Sequence, residues 1–164
     1  MTNNNLRLYT FVNFYLSSIQ QGIQSAHVAT SLTSKYRGKR NAASKLLQQY
    51  EDDGITLICL NGGAAIDVHL SYETYNRAFG AKSVYPFAKF EEEPGAIHPH
   101  SKAITAWGIV LPESVYNARP VEAFPSITGF STVPQDIVQE YDIWKEGSAE
   151  HHLCQLLQGK SLAR

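Results

Sequence analysis

The order of apolar and polar positions divides the chain into alternating strand-like and helix-like segments. Leu8-Tyr9-Thr10-Phe11-Val12-Asn13-Phe14 is a β-branched and aromatic run that predicts a first strand. From about Ile19 to Tyr36 the period becomes helical, with Ser17-Ser18 available as a cap. Val28, Leu32 and Tyr36 recur at helical spacing, and Ile23, Ala26 and Ala29 extend an apolar surface beside them. Lys35-Tyr36-Arg37-Gly38-Lys39-Arg40 breaks the pattern, and a second helix is predicted from about Asn41 to Glu51. Glu51-Asp52-Asp53-Gly54 reads as a turn. Ile55-Thr56-Leu57-Ile58-Cys59-Leu60 is a nearly continuous apolar run, which predicts a strand buried on both faces. Asn61-Gly62-Gly63 turns into a third helix, about Ala65 to Phe79, with Ala65, Val68, Tyr72, Tyr75 and Phe79 on its apolar face. Ser83 to Phe90 and Ala103 to Leu111 predict a third and a fourth strand, and Pro112 ends the last.

This order predicts an α/β fold in three layers: a four-stranded, mostly parallel or mixed sheet flanked by helices, with a helical C-terminal tail. Pro120, Pro125 and Pro134 punctuate the tail, and Asp136 to Trp144 and Ala149 to Leu157 read as helices. A tail of about 50 residues is too short for a robust core of its own. The expectation is therefore one domain over 1–164, with a core at 8–112 and an extension at 113–164 packed on it. Composition narrows the function. The chain has 164 residues, 14 of them basic and 15 acidic, for a net charge of -1. That balance argues against a bulk nucleic-acid binder and leaves room for a local basic patch. No apolar run approaches the roughly 18 residues that span a bilayer, so no membrane partner is expected. The N-terminus lacks the features of a signal peptide, and Cys59 and Cys154 form no C-x-x-C pair. A cytoplasmic location with free thiols is the expectation, Cys59 being buried and unreactive.

Four constellations carry candidate chemistry. Gln20, Gln24 and His27 share one helix face, which Ser31 continues, and the stripe begins where the first strand ends. Ligands of open α/β sheets bind outside the carboxyl ends of strands, and the N–H groups of a helix start suit an anion. Gly22 suits a first turn or the close approach of a ligand. The same stripe also describes a solvated polar face. Glu91-Glu92-Glu93, with Thr105 on the next strand, offers a carboxylate to a ribose hydroxyl or a histidine; a solvated acidic loop has the same pattern. His98-Pro99-His100 offers two imidazoles, fewer than a zinc site needs, and no metal is expected. Lys35, Arg37, Lys39, Arg40 and Lys45 form a basic cluster that suits phosphates, or equally an exposed helix end. Asn61-Gly62-Gly63 lacks the spacing of a dinucleotide fingerprint or a P-loop, and no nucleophile motif is present.

The strand, loop and Gln24-Ser25-Ala26-His27 together resemble the opening of the type 2 peptidyl-tRNA hydrolases. That family has a strand, a short Gly/Lys loop and a helix starting near a Gln-x-x-His pair. Its downstream layout is similar too: a third strand ending in a functional acidic segment, then a strand that begins with Thr and ends at Pro. Here Phe87-Ala88-Lys89-Phe90-Glu91-Glu92-Glu93 and Thr105-Ala106-Trp107-Gly108-Ile109-Val110-Leu111-Pro112 look like those pieces. The resemblance covers roughly residues 8–112, and Gln24, His27 and Thr105 carry over. Gln20 stands where the family has a lysine. The family's Asp-Ala-Gly turn is absent, Phe90 and Glu91 being the closest substitutes.

The resemblance implies a site in which Gln20, Gly22, Gln24, His27 and Thr105 bind a ligand and Lys35, Arg37, Lys39 and Arg40 contact phosphate. If the chain is an enzyme, His27, Gln24 and Glu91 are the catalytic candidates, and no cofactor is expected. The leading expectation is a pocket at the junction of the first strand and first helix that holds a small nucleotide. One form is a sponge for nucleotide signals, which would suit a self-contained viral protein. The alternative is an active hydrolase acting on the ester at the acceptor end of tRNA. A further alternative is an interaction module, for which the tail supplies Tyr116, Phe124, Phe130, Tyr141 and Trp144. The resembled family often forms homodimers, so a homodimer or higher homo-oligomer is the expected assembly.

Overall fold

The computed structural model describes residues 5–93, 102–117 and 147–163. His98-Pro99-His100, the helix expected from Asp136 to Trp144, and Phe124, Phe130, Tyr141 and Trp144 lie outside them.

Four strands form one sheet: β1 (Leu6–Val12), β2 (Leu57–Asn61), β3 (Phe87–Glu92) and β4 (Ala103–Pro112), in the order β2-β1-β4-β3. The helices are α1 (Ser18–Tyr36), α2 (Ala42–Asp52), α3 (Ala65–Phe79), α4 (Glu113–Asn117) and α5 (Ala149–Leu157). The fold is α/β with a mixed sheet. β1 runs parallel to β2, but β4 is antiparallel to both β1 and β3. The sheet is therefore not largely parallel. Only ten residues separate β3 from β4, fewer than the crossover that a parallel pair needs.

Period-two alternation sorts the strand residues between two cores. Tyr9 and Phe11 of β1 join Trp107, Ile109 and Leu111 of β4 in a core with α3 and α5. Leu6, Leu8 and Val12 join Ala106 and Val110 in a core with α1 and α2. Gly108 lets α1 lie close to the sheet, since a Cβ there would come within 2.9 Å of Thr10 Cγ2 and Val28 Cγ1.

β1 ends at Val12, leaving the expected strand residue Phe14 exposed beyond it, and two further strands depart more from the sequence expectation. β2 is an edge strand, with Leu57 exposed and Ile58 and Cys59 half-buried, not a strand buried on both faces. An apolar run does not reveal whether its strand is central. The outer edge of β2 is covered by the C-terminal segment, where Asn61 N–H donates to Ser161 O at 2.9 Å and Ala163 N–H to Cys59 O at 3.0 Å. β3 begins at Phe87 instead of Ser83. Ser83 Oγ closes a turn on itself, donating to Tyr85 O at 2.8 Å and accepting from Tyr85 N–H at 3.1 Å, and Pro86 has no N–H to give.

The helices start at side-chain caps. Ser17 and Gln20 form a capping box on α1, and Asn41 Oδ1 accepts Ser44 N–H at 2.8 Å on α2. Gly63, at φ 91°, makes the turn into α3, where the Asp67 carboxylate accepts Ala64 N–H at 2.9 Å. The buried face of α1 is Gln21, Gln24, Ser25, Val28, Leu32 and Tyr36. Ile23 and Ala26, expected on the apolar surface, are exposed. Gln21 and Ser25 take inner positions with partners for their polar atoms, Gln21 Nε2 donating to the Leu16 carbonyl of the loop before α1 and Ser25 Oγ meeting Thr10 and Cys59 of the sheet. α5 buries Leu153, Cys154 and Leu157. Among the described residues no helix is long and apolar enough to cross a membrane.

Candidate functional site

The site is set by strand register. Along β3 the odd and even residues face opposite layers: Phe87 belongs to the α3 core, Ala88 and Phe90 to the α1 core. Opposite Phe90/Glu91 the register slips, with Phe90 paired to Ala106 and Glu91 to Ile104, so Thr105 is the extra residue of a bulge on β4. The bulge turns Thr105 toward α1, on the same side as Ala106. There Thr105 is fully buried, and its hydroxyl donates to Gln24 Oε1 at 2.6 Å. Gln24, 5% exposed, donates through Nε2 to Glu92 Oε1 at 2.6 Å. One amide thus links a buried hydroxyl to a half-buried carboxylate, with its orientation specified by both neighbours.

Alternation also divides the three glutamates. Glu91 turns to the other side of the sheet and pairs with Lys89 at 2.8 Å, whose Nζ lies 5.2 Å from the Tyr72 ring centroid. It does not join Gln24 and His27, which corrects its assignment as a catalytic candidate. Glu93 pairs with Lys102 at 2.9 Å. Glu92, one residue along from Glu91, is the carboxylate that faces α1, and among the described residues it has no cation partner. Sequence reasoning included Glu92 in the acidic run without singling it out.

His27, one turn beyond Gln24, is exposed. Its ring stacks on Phe90, with centroids 4.2 Å apart and planes 10° apart. Phe90 and Glu92 share a strand face, as Gln24 and His27 share a helix face, so the four side chains form two facing pairs across the α1–β3 seam. Away from the seam, under the β1–β2 side of α1, Ser25 Oγ meets Thr10 Oγ1 at 2.8 Å and Cys59 Sγ at 3.3 Å, which ties the half-buried Cys59 to α1 at the sheet edge opposite β3. A separate cavity of about 190 Å³, on the β2 side of the sheet, is lined by Phe14, Gln21, Asn61, Ser161, Leu162 and Ala163, outside the carboxyl ends of β1 and β2.

Other expected site residues are elsewhere. Gln20 Oε1 accepts Ser17 N–H and Ser17 Oγ–H, each at 3.1 Å. Its side chain is committed to the helix cap rather than to a ligand. Gly22 faces open space. Lys35 Nζ donates to Phe87 O at 2.9 Å and sits 4.0 Å from the Phe87 ring centroid. Burial, then repulsion from Lys39, lowers the Lys35 ammonium below its ordinary pKa. Lys39 Nζ lies 5.5 Å from the Tyr36 ring. The Tyr36 hydroxyl accepts Phe87 N–H at 3.3 Å, so Tyr36 and Lys35 cover the open edge of β3. Arg37 caps α1 through its backbone N–H, and Arg40 is exposed. Eight helical residues, about 12 Å of rise, separate Lys35 from His27.

No group of three metal-ligating side chains occurs among the described residues. His152 packs against Phe79 and Tyr75, at ring distances of 5.6 and 6.2 Å. Tyr116, the described aromatic of the tail set, stacks on Tyr9 at 4.8 Å. No protein-family model matches the chain, and a search of curated proteins finds no match.

Proposed function

We propose that the chain is a divergent relative of the type 2 peptidyl-tRNA hydrolases that binds a nucleotide-type ligand at the α1–β3 seam. The observation that carries this reading is the exposed His27 ring, stacked on Phe90 at 4.2 Å beside the Glu92 carboxylate. A rigid π-face next to a hydrogen-bonding group is what a nucleobase needs, and base stacking on such a ring contributes about 1–3 kcal/mol. The order of pieces supports the resemblance: β3 ends in Glu91-Glu92, and β4 carries Thr105 and ends at Pro112.

Binding without turnover is favoured over hydrolysis. Gln20, at the family's lysine position, is tied into the cap and brings no cation. Both ends of the Gln24 amide are occupied within the protein. A protein that holds a nucleotide and leaves it intact acts as a sponge. Calorimetric titration with AMP and GMP tests this reading. Saturable binding should weaken at least tenfold in His27→Ala, with the thermal unfolding midpoint retained. Equal affinity in the variant would contradict it. Convergence of Gln24, His27, Glu92 and Thr105 on one end of the sheet also suits the hydrolase reading. Multiple-turnover release of the aminoacyl moiety from N-acetyl-aminoacyl-tRNA separates the two. The binding reading expects none, and His27-dependent turnover would replace it.

A further inference from the structure

The acidic run at the end of β3 is three glutamates in sequence but two kinds of carboxylate in space. Glu91 and Glu93 are exposed and each is neutralised by a lysine at 2.8 or 2.9 Å. Glu92 faces the other way. It is half-buried, and its only hydrogen bond among the described residues is the neutral Gln24 amide at 2.6 Å. An ionised carboxylate accepts at about four lone-pair positions and donates at none. One position is taken here. The Gln24 amide that takes it is itself pinned by the fully buried Thr105, so Glu92 is held in one orientation with no cation among the described residues. The stacked His27 and Phe90 rings lie next to it along the same seam.

Such a carboxylate, beside an aromatic platform, complements two adjacent hydrogen-bond donors. We infer that Glu92 is the specificity-determining residue of the seam and that it selects a nucleotide through a donor–donor pair. Two parts of a nucleotide present that pair: the N1–H and N2–H of guanine, and the 2′,3′ cis-diol of ribose. Guanine fits the neighbourhood better, because its donor edge lies in the plane of a ring that His27 can stack, the combination by which unstacked bases are read. Adenine offers an N1 lone pair to the same carboxylate and is repelled there. This inference rests on the nucleotide-binding reading of the same site.

Calorimetry on the full chain with GMP, IMP, AMP and 2′-deoxy-GMP tests it. IMP lacks the N2 amine, AMP lacks the N1 donor, and 2′-deoxy-GMP lacks the cis-diol. GMP should bind about tenfold or more tighter than IMP and AMP, since each hydrogen bond to a charged group contributes at about that scale. 2′-Deoxy-GMP should match GMP. Glu92→Gln should abolish the preference, while Glu91→Gln, on the other face, should keep it. Loss of affinity for 2′-deoxy-GMP with no base preference, itself dependent on Glu92, would support the donor-pair role with ribose as its source. Equal affinity for all four nucleotides, or a guanine preference that survives Glu92→Gln, would overturn the inference and leave nucleotide binding standing. Binding of none would remove both. If Glu92→Gln does not fold by thermal unfolding, the four-ligand comparison on the unmodified protein decides.

Discussion

The two faces of the sheet are built from different materials. The α3 side is aromatic: Phe11 stacks on Trp107 at 4.6 Å, and Tyr75 lies against Trp107 and Phe87. Two of its polar atoms are satisfied at the margin, Trp107 Nε1 by Ser71 Oγ and the Tyr75 hydroxyl by Ser83 Oγ, while the buried Tyr9 hydroxyl has no hydrogen-bond partner among the described residues. The α1 side is mainly aliphatic, with Tyr36 and Tyr50 its buried aromatics, and is interrupted by polar groups. The buried polar residues Thr10, Asn13, Gln21, Gln24, Ser25 and Thr105 all lie on α1, on the chain leading into it, or opposite it. An apolar face needs only volume and shape. A buried polar face is destabilising unless each donor and acceptor is matched, so its side chains have far fewer permitted positions. The molecule therefore rests its stability on one face and holds oriented chemistry on the other.

The largest expected effect belongs to the aromatic face. Trp107→Ala should lower stability by about 3–5 kcal/mol, because a fully buried ring would leave a cavity. Chemical denaturation measures it, and a loss under 1 kcal/mol would mean that the face is not the main store of stability. The polar face should respond differently. Thr105→Val keeps the shape but removes the donor to the buried Gln24 Oε1, at a cost of about 1–3 kcal/mol. It should also weaken nucleotide binding, because the Gln24 amide is then free to turn away from Glu92. A variant with full stability and full binding would show that the network orients nothing. The smallest effect sits at the margin of the aromatic face. Burial, then the neighbouring His151, lowers the pKa of His152 below the usual histidine value. The unfolded chain then binds a proton more readily than the folded one, so stability falls as pH drops below about 6.5. His152→Gln should reduce the slope of stability against pH between 7 and 5; an unchanged slope would assign it to other groups.

Much of this division is legible in the sequence, but not its handedness across the sheet. α3 runs from Ala65 to Phe79 as the pattern predicts, because glycines bracket a clear apolar period. Gln24, His27 and Thr105 are brought to one end of the sheet; spacing places Gln24 and His27 on one helix face, and only the family resemblance joins Thr105 to them. Glu92 is not legible, since three identical residues give no sign of which one faces α1. The alternation of β3 and the bulge at Thr105 decide that. Phe90 carried a signal that was available: it lies two residues before Glu92 and so on the same strand face. Gln20 carried one too, since Ser17-x-x-Gln20 is a capping-box pattern and competes with a ligand role. On α1 the hydrophobic period misplaced Ile23 and Ala26, because the inner surface there is partly polar.

The polar seam between α1 and β3 is the proposed binding surface. Titration of uniformly ¹⁵N-labelled protein with GMP, followed by amide chemical shifts, tests it most directly. Saturable shifts should concentrate at Gln24, His27, Phe90 and Glu92, with Tyr75 and the rest of the α3 face unmoved. Shifts confined to the basic stretch from Arg37 to Lys45, or none at saturating GMP, would contradict it.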